Sequence, residues 1–150
     1  MALKQRVDDD LKAALLSGDR FAAQTLRGLK AAVLNEEVAL GRREDGLNDA
    51  EVEKIIAKEV KKRNESIALF EQNGRPELAE DEKKESDILS VYLPKQLGED
   101  ELKEVIATKV AELGVSGPQG MGQVIGAVKA QVGNTADGAT VARLVKEALN

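Results

Sequence analysis

Apolar side chains recur every three or four residues in segment after segment from Leu3 to Leu149, and no segment alternates apolar with polar at a period of two. A period near 3.6 marks a helix and a period of two marks a strand, so the pattern predicts an all-α fold. Leu3, Val7, Leu11 and Leu15 form the stripe of a first helix, which Ser17-Gly18-Asp19 stops. Asp19 is placed to cap a second helix carrying Phe21, Leu26, Leu29, Val33, Val38 and Leu40. A polar loop over 41–49 follows, and Asn48 with Glu51 has the spacing of a capping box for a third helix. Gly74 and Pro76 separate that helix from a fourth, mostly charged until Ile88, Leu89 and Tyr92. Pro94 breaks the pattern. The reading is an N-terminal antiparallel helical bundle over 1–95 and a small three-helix unit over 96–150.

Composition narrows the chemistry. The 150 residues include no cysteine and no histidine. Disulfides, thiolate nucleophiles and imidazole acid/base catalysis are therefore absent, and zinc loses its usual ligands. Nothing in the pattern asks for a metal or a cofactor. Charged residues make up 33% and aromatics 2%, a helix-forming mixture with few rings to stack on a base. The net charge is -5, divided as 17 basic against 20 acidic residues in 1–95 and 5 against 7 in 96–150. Neither part carries an overall basic excess, so any nucleic-acid contact would rest on local patches. No apolar run reaches the roughly 20 residues of a membrane span. The opening "MALKQRVDDD" lacks the apolar core of a signal peptide. The expectation is a cytoplasmic protein with no membrane partner.

The stretch 58–97 resembles the central signature of the YqeY family. The resemblance rests on Lys61-x-Arg63, Ser66-Ile67, Phe70, Gly74-Arg75, Leu78, Glu82, Glu85, Ile88-Leu89 and Tyr92-Leu93-Pro94. "MGQVIGAV", "ADG" and "LVKEAL" near the C-terminus resemble the end of the same family. They also resemble the tail domain of GatB, a component of the aspartyl/glutamyl-tRNA amidotransferase. The resemblance implies a free-standing relative of that helical appendage, whose tail contacts tRNA, without the parts that release ammonia or form the amide. One departure is visible. Such tails carry a Lys-Gly-Lys or Lys-Gly-Arg stretch where this chain has Gly133-Asn134-Thr135, and Lys129 is the one basic residue between Leu113 and Ala139.

Several groups are candidates for function. Lys58, Lys61, Lys62 and Arg63 cluster on the third helix, and Arg75 and Lys129 lie further along. Clustered cations can neutralise phosphates, although interleaved glutamates also fit an ordinary solvated face. Gly122 and Gly126 are four apart and share a helix face, where the lack of a Cβ permits close packing. Gly133 and Gly138 read as a helix stop and a turn. An RNA-facing surface is the other reading of these glycines. A phosphate loop is excluded, because "GPQGMGQ" lacks the Gly-Lys-Ser/Thr ending. Glu82 and Glu85 are expected to pair with Arg63 or Arg75 rather than act as acids or metal ligands. Tyr92-Leu93-Pro94 is expected to wedge the two units together, with base stacking as the other role for Tyr92.

Joined to these features, the resemblance implies a non-catalytic, tRNA-associated helical module. A protein–protein adaptor for a tRNA synthetase or amidotransferase subunit is the alternative, and net acidity favours it. A carbon–nitrogen ligase using glutamine is the third reading, a label carried by the family and not by residues here. The oligomeric state is left open.

Overall fold

The computed structural model describes residues 2–150. Among them are seven α-helices and no strand. They are α1 (Leu3–Ser17), α2 (Arg20–Ala39), α3 (Asp49–Gln72), α4 (Ala79–Ser90), α5 (Glu99–Leu113), α6 (Met121–Val132) and α7 (Gly138–Leu149). Short 3₁₀ turns at Pro76–Leu78, Pro118–Gly120 and Gly133–Thr135 lead into or out of them. The chain divides into two compact units, one ending at Leu93 and the other Pro94–Asn150.

Local sequence sets the helix ends. The Asn48 side chain accepts from Glu51 N at 2.9 Å, and Glu51 Oε1 accepts from Asn48 N at 3.2 Å. Two donors that the first turn would leave unpaired are thereby satisfied. Asp19 accepts from Ala22 N at 3.1 Å and Asp137 from Thr140 N at 3.2 Å. Gly18 ends α1 at φ 78°, a conformation that a side chain would strain.

In the first unit, α1 packs on α2 and α3 packs along α4. Leu3, Val7, Leu11, Leu26, Leu29, Val33, Val52, Ile56 and Leu89 form its core. The expected stripe is corrected at its end. Leu15 is 49% exposed, and Ala14 is buried in its place. Steps of four gain about 40° each against a 3.6-residue turn, so by Leu15 the stripe has rotated off the core, and a step of three restores it. Val38 and Leu40 are likewise exposed, since near the end of α2 it is Val33 and Glu37 that take the inner side.

Glu37, at 4% exposure, is a buried acid that the periodicity did not single out. Its Oε2 accepts from Lys4 Nζ at 2.7 Å and from Leu47 N at 2.9 Å. One carboxylate thus ties α1, α2 and the loop into α3. The Lys4 hydrogen bond, then the Leu47 amide, hold the Glu37 carboxyl below its ordinary value. The second unit has its own core, built on Leu102, Ile106, Val124, Val128, Val141, Leu144 and Val145. Its first residues are tied down by backbone: Leu97 N donates to Thr135 O at 2.8 Å.

A group whose folded pKa is depressed contributes stability above its unfolded pKa and loses it as pH falls through the folded value. Glu37→Gln is therefore expected to lower stability by about 2 kcal/mol at neutral pH. The variant should also lose less stability on acidification than the parent. Urea denaturation across the acidic range measures both, and identical pH profiles would contradict the assignment.

Candidate functional site

The third-helix cations sit where α3 runs beside α4, and most of them already have partners. Arg63 is largely buried and donates through Nη1 to Glu59 Oε2 at 2.9 Å and to Glu59 O at 3.0 Å. Its Nε donates to Glu85 Oε2 at 3.0 Å. Burial acts to lower the Arg63 pKa, but the bonds to Glu59 and Glu85 outweigh it and hold the value above the ordinary one. Beside this pair, Ser86 Oγ donates to Asn64 Oδ1 at 3.1 Å. Arg63 and Glu85 thus clamp α3 to α4 within the first unit.

The remaining candidates divide. Lys62 Nζ lies 3.7 Å from Glu59. Lys61 is exposed and has a partner of its own. Arg75 Nε donates to Glu77 Oε1 at 2.8 Å, so Arg75 pairs within its own turn and not with Glu82 or Glu85. Glu82 is half-buried on α4. Lys58 on α3 and Lys129 on α6 are exposed and make no ion pair among the described residues.

Tyr92 is buried in the core of the first unit at 4% exposure, which leaves its ring little surface on which a base could stack. Its hydroxyl donates to Asp10 Oδ2, and Arg6 lies 5.3 Å from the ring centroid. Burial, and then the bond to the Asp10 carboxylate, push the phenol well above its ordinary pKa. Leu93 packs against the same core, and Pro94 opens the second unit.

The glycines of the second unit also differ from expectation. Gly122 and Gly126 are exposed, and a Cβ built on either meets nothing within 4 Å. They face open space on the outer side of α6, because Val124, Val128 and Val132 take the core side. The glycine that does permit close packing is Gly120, where a Cβ would lie 2.8 Å from Val115 Cβ. Gly133 adopts φ 54° after α6, and Gly138 opens α7 beside the Lys129 side chain. The "GNT" stretch has a role that residue types did not reveal. Its Asn134 and Thr135 carbonyls accept from Gln96 Nε2 at 3.0 Å and Leu97 N at 2.8 Å.

A half-open cavity of about 350 Å³ lies in the first unit, between α1 and α2 with Val52 at its base. Its four charged lining groups pair off, Lys4 with Glu37 and Lys30 with Asp8, each at 2.7 Å. Among the described residues, no cluster of acids is arranged to hold a metal ion. No helix there is long and apolar enough to cross a membrane.

Fold and surface together define a small all-α protein of two helical units, some of whose charged groups brace one helix against another. The chain belongs to the family described as Yqey-like protein, whose model matches residues 4–149. Among curated proteins it is similar to three named "Altered inheritance of mitochondria protein 41, mitochondrial". The one from Clavispora lusitaniae is 30% identical over 75% of this chain and 65% of its own length. The one from Pyrenophora tritici-repentis is 28% identical over 95% of this chain and 78% of its own length. The one from Kluyveromyces lactis is 35% identical over 61% of this chain and 46% of its own length. The chain therefore spans only part of these relatives. Their names overturn the cytoplasmic expectation, since each is described as mitochondrial.

An exposed helical glycine with open space around it gains from a methyl group. Gly122→Ala and Gly126→Ala are each expected to raise stability by about 1 kcal/mol. Gly120→Ala should lower it, because the new Cβ would collide with Val115. Thermal or urea unfolding of the three variants tests the division, which fails if all three shift in the same direction.

Proposed function

We propose that this chain is a non-catalytic helical module that associates with tRNA through its phosphate backbone. The observation that carries the reading is a set of exposed cations left without an ion pair among the described residues, Lys58 on α3 and Lys129 on α6 among them. In a chain of net charge -5, unpaired cations on helix surfaces are the groups free to replace counterions on a polyanion. The bare outer face of α6 supports the same reading. Gly122 and Gly126 each cost the helix roughly 1 kcal/mol relative to alanine, and no packed neighbour requires them. A glycine surface next to Lys129 lets a phosphate backbone approach the helix closely. With aromatics at 2%, recognition rests on phosphates and shape and not on base stacking.

The adaptor reading draws on a different surface. Leu34, which lines the cavity, and Val38, one turn further along α2, are 42% and 58% exposed. Such a patch suits a protein partner, with a tRNA synthetase or amidotransferase subunit as the proposed class.

An anisotropy titration with total tRNA at low salt is expected to give micromolar binding that weakens steeply as salt is raised. Lys58→Ala/Lys129→Ala should weaken it further. Absence of salt-sensitive binding by the parent chain removes the RNA reading. A pull-down that retains a synthetase or amidotransferase subunit after nuclease treatment would then favour the adaptor.

A further inference from the structure

We propose that the outer face of the first half of α2, carrying Arg20, Gln24 and Arg27, is a phosphate-contacting surface for RNA; the proposal rests on the RNA reading above. The three residues follow at intervals of four and three, so they line one side of the helix, and all three are exposed. At a rise of 1.5 Å per residue, Arg20 and Arg27 stand about 10.5 Å apart, which is room for two separate phosphates.

Neither arginine makes an ion pair among the described residues, whereas Arg42, Arg63, Arg75 and Arg143 each hold a carboxylate. Two acids close to α2 are engaged elsewhere. Asp19 caps α2 through Ala22 N, and Asp8 holds Lys30. Guanidinium groups without a carboxylate offer a planar fork of donors that suits phosphate oxygens.

The placement runs against helix stability in two ways. Arg20 is the first residue of α2, at the positive end of its dipole, and no acidic residue lies in that first turn. Gly28 follows Arg27 in mid-helix, exposed, and a Cβ there would meet nothing within 4 Å. Packing requires neither choice, while both suit a polyanion lying along the helix. A third cation joins this end, since Lys84 of α4 places its Nζ 5.7 Å from the ring centroid of Phe21. Because the contacts go to backbone phosphate, the surface accepts RNA irrespective of sequence.

The test compares the full chain with Arg20→Ala/Arg27→Ala, Arg20→Lys/Arg27→Lys and Lys58→Ala/Lys129→Ala. Total tRNA and a homopolymer RNA are titrated at several salt concentrations, and far-UV circular dichroism checks that each variant is folded. The double alanine variant should bind both RNAs roughly tenfold or more weakly at low salt, with the log–log salt slope reduced by about two. The double lysine variant should keep the slope. A parent chain that binds RNA, with an unchanged slope in the double alanine variant, overturns this proposal alone. A parent chain that binds neither RNA overturns the RNA reading and this proposal with it.

Discussion

The helices of each unit meet through aliphatic side chains almost fully withdrawn from water. Ile56 and Leu89 do so in the first unit, and Val124, Val128, Val141 and Val145 in the second. With so few aromatics, cohesion comes largely from many small aliphatic contacts at short range. Each unit therefore needs its own continuous stripe on every helix. Residues that fall off the stripe, such as Leu15 and Leu16, are left in solvent. This use of the apolar residues leaves charge as the dominant character of the surface.

Part of that charge holds the fold together. Arg63 joins α3 to α4 through Glu59 and Glu85, and Glu37 joins α1, α2 and the loop before α3. These are buried or half-buried interactions with geometry fixed by hydrogen bonds, unlike the exposed pair of Arg75 with Glu77. Among the described residues, no buried side-chain nitrogen or oxygen lacks a hydrogen-bond partner. Bracing the helices in this way occupies Arg63, the most prominent cation of the third helix. Other cations, Arg20 and Arg27 of α2 among them, make no ion pair among the described residues.

Helix ends were the most legible part of the molecule, for a local reason. Asn48 and Glu51 need only each other's backbone to make a capping box, and Gly18 needs only its own missing Cβ to turn the chain. The candidate site was less legible. Arg63 and Glu85 lie 22 residues apart, and their meeting depends on how α3 and α4 align. Gly122 and Gly126 show the limit most clearly. Their spacing identified a shared face, but the facing element depends on which side of α6 turns to the core. Tyr92 stands two residues before Pro94, yet its hydroxyl meets Asp10, distant in sequence.

By itself, the sequence determined that the chain is helical, where most helices begin and end, and which chemistry it lacks. Those properties follow from period, capping and residue type, all of which act over a few neighbouring residues. Tertiary structure alone decided which charges are neutralised and which face outward. A carboxylate cancels a cation only across a few ångströms, and only the packed helices bring distant residues that close.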